Sequence, residues 1–224
     1  MTDEELDELL RDCPVLYHMA ERGSWPSIQR HGLLSTSALL DLFEVHGERR
    51  DAIEARRRPE NVVIEHPRLG RAVVRDQKPM DDNGLRRCLQ DGLVPEDWYR
   101  LLNGRVFMWL TRDRLDRLLA ARPYRDLEHD VLELDAAPLV AACRERITLS
   151  PINSGATKPF PRDRGKDTFL PIADYPYASW RERRKVGERV VELAVAGGIL
   201  GIGRFVRRVL TMRGEEVVAV QHNR

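Results

Sequence analysis

The sequence predicts an α+β protein built as one domain over residues 1–224, with its helices concentrated in the first two thirds. Three observations carry that expectation. Short apolar or aromatic runs, VLYHM at 15–19, RVFMWLT at 105–111 and RVVELAV at 189–195, are each strand-like and lie far apart along the chain. Leucines at helical spacing fill much of the chain before residue 143. No repeat and no flexible linker interrupts the 224 residues, a length that suits one sizeable domain.

Residues 2–11 alternate acidic and leucine positions and read as a short amphipathic helix that Pro14 stops. VLYHM then forms a strand. Ser24 is placed to cap a helix over 25–31, with Pro26 in its first turn and Gly32 ending it. That helix is expected to fold back and wall a pocket into which the strand presents His18. A further helix begins near Ser35 or Thr36 and carries Leu39, Leu40 and Phe43 on one face, and the charged stretch GERRDAIEARRRPE at 47–60 reads as its solvated extension. NVVIE at 61–65 and RAVVRD at 71–76 are two strands joined around Pro67 and Gly70.

Residues 81–103 suggest two short helices broken near Gly92–Pro95, and 105–111 is the clearest interior strand. Thr111 and Asp135 are cap candidates for the helix RDRLDRLLAA and for a short helix after the strand HDVLELD at 129–135. ITLSPI at 147–152 is another strand. Residues 153–180 carry four prolines without helical periodicity, and Phe160, Phe169, Ile172, Tyr175 and Tyr177 predict a long loop that packs. A strand over 189–195 and a hairpin over 204–221, turning at Arg213-Gly214, complete the chain.

Composition narrows the function. A hydrophobic fraction of 42% and a charged fraction of 33% describe a soluble globular protein. Lys+Arg 37 against Asp+Glu 36 argues against a general polyanion binder but leaves room for local basic clusters. Cys13, Cys88 and Cys143 form no CxxC pair, so neither a disulfide framework nor a thiolate zinc site is expected. The acidic opening lacks the features of a signal peptide, and VVELAVAGGILGIG at 190–203 is too short to span a bilayer; the expectation is a cytoplasmic protein without a membrane partner.

Several chemistries drop out on motif grounds. GGILGIG at 197–203 follows a strand, but its glycines miss the G-x-G-x-x-G spacing and too little chain follows for a βαβ unit, so it reads as a glycine-rich bend between strands. No HExxH, G-x-S-x-G or G-x-x-x-x-G-K-[ST] occurs, and no metal is expected. His18, Phe107, Trp109, the 153–170 loop and Glu192 remain. Alternation places Glu192 with Val190 and Ala194 on the more open face of its strand, with Val191, Leu193 and Val195 facing the core. Taken alone, Glu192 is an ordinary solvent-facing residue, His18 a core or rim histidine, and Phe107 and Trp109 core residues.

LYHMAERGSWPSIQRHGLLST at 16–36 resembles the opening segment of ADP-ribosyltransferase-fold proteins, where a strand ends in a His and a short helix with a Ser-Ile pair precedes a Gly-Leu turn. It is most similar to the version in bacterial DNA-targeting ADP-ribosyltransferase toxins and in poly-ADP-ribose polymerases. In chain order that family has an aromatic strand next and then a strand with a catalytic Glu, and RVFMWLT and RVVELAVAGGI occupy those places. The whole chain is also similar to an uncharacterised bacterial family, which supplies no activity.

The resemblance implies a split β-sheet core and NAD as substrate, without a metal. Glu192 would stabilise the oxocarbenium-like ribose and help deprotonate the acceptor, a nucleic acid or a protein. His18 would bind a ribose hydroxyl. Trp109 or Phe107 would stack on nicotinamide in place of the family's middle Tyr, which 105–111 lacks. Arg75 would reach the pyrophosphate or, alternatively, pair with Asp76 on the surface. Asn153, Ser154 and Arg164 would contact substrate or acceptor, although Asn153-Ser154-Gly155 also reads as a plain turn. Val190 stands where an E-x-E pair would need its first Glu, which speaks against arginine-directed modification. The alternatives are a non-catalytic NAD/ADP-ribose-binding or protein-interaction module, and an RNA 2′-phosphotransferase-like enzyme, whose additional basic motif is not recognisable here.

Overall fold

The computed structural model describes residues 1–223. In α1 (Asp3–Asp12), Thr2 and Glu5 cap each other reciprocally, and Leu6 and Leu9 are buried. β1 (Val15–Glu21) leads into α2 (Trp25–His31). Ser24 stands at the head of α2, but its hydroxyl makes no capping bond. The buried Asp130 carboxylate serves instead, accepting from the N–H groups of Gly23 (2.9 Å) and Trp25 (3.2 Å). β2 (Leu33–Leu34) precedes α3 (Thr36–Leu42), which Ser35 does cap through Ala38 N–H at 3.2 Å.

The charged stretch after it is not a solvated extension. It forms a separate helix, α4 (Gly47–Glu54), whose Ile53 and Glu54 are buried along with Arg58 beyond it. Its charges are spent locally, Arg50 pairing with both Glu54 and Asp41. β3 (Val62–His66) and β4 (Gly70–Val74) form a hairpin, and with α3 and α4 they enclose a satellite core around Leu40, Phe43, Ile53 and Ile64.

α5 (Asp82–Cys88) and α6 (Pro95–Asn103) are the two short helices the sequence suggests; β5 (Arg105–Trp109), α7 (Arg112–Leu119), β6 (Glu128–Asp135), α8 (Ala136–Cys143) and β7 (Ile147–Ser150) follow. Neither Thr111 nor Asp135 makes a side-chain cap; the Asp135 carboxylate accepts from Arg207 instead. Within 153–180 lie β8 (Leu170–Pro171) and a short helix, α9 (Tyr177–Arg183), which the proline density conceals. Phe169, Ile172, Tyr175 and Tyr177 pack inside as expected, whereas Phe160 is 83% exposed. β9 (Glu192–Ala196), β10 (Gly198–Ile199), β11 (Val206–Arg213) and β12 (Glu216–Asn223) close the chain.

Eight strands form one antiparallel sheet in the order β12-β11-β6-β1-β5-β9-β7-β8, giving the α+β architecture the sequence predicts. Its two halves are unequally joined. β1 pairs with β6 along all seven residues, but with β5 only at Tyr17↔Trp109, so the strands part beyond that point. One core, around Leu16, Val106, Leu132, Leu193 and Val195, lies under the sheet with α1 and α8. On the opposite face α5 and α6 cover Phe107 and Ala194, while α7 covers Met19 and Val131.

The glycine run serves the bend expected of it. Gly198 sits at φ 133°, and a Cβ there would stand 2.7 Å from Leu33 O; Gly32, at φ 95°, would meet Ile199 O at 2.8 Å. Only two glycines let β2 and β10 approach this closely in those conformations.

Candidate active site

Where β1 and β5 part, both strands expose an unpaired edge to a cavity of about 520 Å³. The outer wall comes from α2 and from β4 with the residues after it. The expected folding-back of the helix after β1 is therefore present, with Ser27, Ile28 and His31 turned to the cavity.

His18 bridges the split. Its Nδ1 lies 2.9 Å from Phe107 O, and because a carbonyl only accepts, Nδ1 carries the proton and Nε2 of the neutral ring is an acceptor. Burial pushes the imidazole down to about 4, with the Arg75 guanidinium acting in the same direction, so the ring is neutral at physiological pH.

Glu192 enters the same cavity from β9. It is only 3% exposed, so the open face that alternation assigns it does not exist: Val190, Val191, Leu193 and Ala194 are buried too, because helices cover both faces of the sheet. Burial pushes the carboxylate's pKa up to about 7, against the downward pull of the Ser154 N–H that donates to Oε2 at 3.1 Å. Sheet register sets Tyr17, Trp109 and Glu192 in one row across β1, β5 and β9.

Arg75 also lines the cavity. It forms no ion pair among the described residues, so the Asp76 pairing is not made. One terminal nitrogen donates to Met19 O at 3.3 Å, the guanidinium lies 5.2 Å from the Tyr124 ring centroid, and the buried Nε has no partner. Asp76 instead accepts from Tyr124 Oη at 2.6 Å. A guanidinium without an ion-pair partner, lying over an aromatic ring, is placed to donate to an anionic ligand. Phe107, Trp109, Asn153 and Ser154 complete the set of sequence candidates that reach the cavity; Phe107 leans on Phe169 with ring centroids 5.7 Å apart.

Arg164 does not reach it. The side chain is 2% exposed and spends its donors on backbone: Nη1 on Ser154 O (2.7 Å), Nη2 on Ala156 O (2.8 Å) and Nε on Arg162 O (2.9 Å). It is a clamp for the segment that holds Glu192. The sequence reading also passes over Arg58 and Tyr124. Arg58 hides in a charge run, yet it lies 6% exposed at the cavity, donating to Arg75 O (2.9 Å) and Asn103 Oδ1 (3.0 Å). Tyr124 sits in a turn with no pattern to mark it.

No helix among the described residues is long and apolar enough to cross a membrane, and no cluster of three or more His, Cys, Asp or Glu suited to a metal occurs among them. No curated protein matches the chain. The stretch that runs from the start of β1 to the start of β11, residues 14–206, matches one family model, and on that match the chain belongs to the Family of unknown function (DUF7002).

Proposed function

We propose that the protein transfers ADP-ribose from NAD to a nucleophilic acceptor. The observation that carries the reading is the convergence of His18 and Glu192, remote in sequence, on one cavity that also holds the unpaired Arg75.

Each group then has a task that its chemistry suits. Arg75 meets the dinucleotide's pyrophosphate as a fixed cation. His18 Nε2 accepts from a ribose hydroxyl and orients the sugar. Phe107 and Trp109 offer aromatic faces to the cationic nicotinamide ring. The bond between ribose C1′ and the nicotinamide nitrogen breaks, and nicotinamide leaves with the electron pair as a neutral molecule. Positive charge spreads over C1′ and the ring oxygen, where the Glu192 carboxylate stabilises it. The acceptor's lone pair then bonds to C1′, and its proton passes to Glu192.

Purified protein incubated with NAD labelled in nicotinamide tests the reading, with release followed in the presence and absence of acceptors. Release should fall at least about 100-fold in Glu192→Gln, provided the variant melts as a folded protein. Tight NAD binding with no release by the wild type would replace transfer with a binding module, and the absence of both would overturn the reading.

A further inference from the structure

Arg75 and Asp76 are neighbours in sequence, carry opposite charges and both line the Glu192 cavity, yet among the described residues they form no ion pair. Tyr124, a buried residue in the turn between α7 and β6, stands against both of them. Its hydroxyl donates to Asp76 Oδ1 at 2.6 Å, and the same oxygen accepts from Lys78 N–H at 2.9 Å. Its ring lies under the Arg75 guanidinium, 5.2 Å from centroid to Cζ. One side chain therefore engages the carboxylate at its polar tip and the cation at its face.

The ring that does this is itself fixed. It packs in a core with Met19, Leu115 and Val131, and the His129 ring meets it edge-on with centroids 5.8 Å apart. The main chain of the pair is pinned as well: Arg58 Nε donates to Arg75 O at 2.9 Å, and Asp76 N–H donates to Asn61 Oδ1 at 2.9 Å. A guanidinium beside a carboxylate ordinarily makes a short charge-assisted pair with it. An arginine so paired has to break that bond before it can donate to an anion in the cavity, which weakens binding by the strength of the pair.

We propose that Tyr124 is a positioning residue: its hydroxyl holds Asp76 away from Arg75 and so keeps the guanidinium open to a phosphate-bearing ligand. For the identity of that ligand, the pyrophosphate of NAD, the inference rests on the transfer reading above. Removing the hydroxyl releases the carboxylate to turn to Arg75 and neutralise it inside the cavity. Tyr124→Phe does only this, because the aromatic ring, its packing and its contact with the cation all remain.

Isothermal titration calorimetry with ADP as the probe tests the role without any transfer. Wild-type protein should bind ADP, and Arg75→Met should weaken binding at least about 10-fold. Tyr124→Phe should weaken it about fivefold or more. Tyr124→Phe/Asp76→Asn should recover to within about twofold of wild type, no carboxylate being left to compete, and Tyr124→Phe should change binding by less than about twofold when added to Arg75→Met. A merely structural Tyr124 would lower the melting temperature, and Asp76→Asn would not restore binding. The role is overturned by absent ADP binding in the wild type, by wild-type affinity in Tyr124→Phe, or by failure of the double variant to recover. In NAD cleavage, Tyr124→Phe should raise KM about fivefold or more with kcat within about twofold. The ADP pattern without NAD cleavage upholds the role of Tyr124 and overturns the transfer reading.

Discussion

Glu192 and His18 are tuned in opposite directions by the same cause, removal from water. For the carboxylate, burial favours the protonated form and moves its pKa up to about 7. On the transfer proposed above, Glu192 takes the acceptor's proton and must start as the carboxylate, so kcat should rise with pH and level off above about 7, a limb that a pH–rate profile reads directly. The same shift acts on stability. The folded state holds the Glu192 proton over a range in which the unfolded chain, at about 4.5, has released it. Stability therefore falls as pH rises from 4.5 through 7, by at most roughly 3 kcal/mol. Glu192→Gln removes that penalty, so thermal melts should show the variant gaining on the wild type between pH 5 and pH 8. By pattern alone each of the two reads as an ordinary residue and only the resemblance singles them out; that both line one cavity is visible in the fold alone. The burial of Glu192 was not legible either, since α5 and α6, which cover its face, come from a distant part of the chain.

At the scale of elements, the stretch from Pro151 to Gly165 shows how an irregular segment is held rigid. Arg164 gathers three of its carbonyls and lies over Trp98, 5.7 Å from the ring centroid. Arg164→Met keeps much of the volume but leaves Ser154 O and Ala156 O without that donor. Chemical denaturation should show a loss of about 1–3 kcal/mol, the usual cost of leaving buried acceptors without a donor. Because Ser154 positions Glu192, kcat should fall while KM for NAD changes little. The longer strands, most helices and the bend at the glycine run could be read from periodicity and breakers, whereas the two-residue strands β2, β8 and β10 could not. The caps were less readable: Ser35 behaves as its type suggests, whereas Ser24 is displaced by Asp130, a residue from a strand over a hundred positions away. α9 escaped notice because local proline content masks a helix that packing stabilises.

For the molecule as a whole, acid sensitivity should come from histidine. His129 is 2% exposed, both ring nitrogens lack partners among the described residues, and burial lowers its pKa to about 4. His18 shifts the same way. Both folded values lie below the unfolded 6.5, so stability is complete above that pH and is lost as pH falls toward 4, by up to roughly 3 kcal/mol for His129. Glu192 acts in the opposite sense over part of this window, but two imidazoles outweigh one carboxylate. His129→Leu should keep more of its neutral-pH melting temperature at pH 5 than the wild type does. The strand order has a consequence for biogenesis. β1, among the first strands made, has to wait for β5 and β6, and β5 must wait for β9, which carries the carboxylate. A nascent chain halted on the ribosome before β9 emerges lacks the wall of the cavity that carries Glu192, and, on the transfer proposed above, the group that would act on a bound nucleotide; such late, long-range closure makes slow folding the expectation.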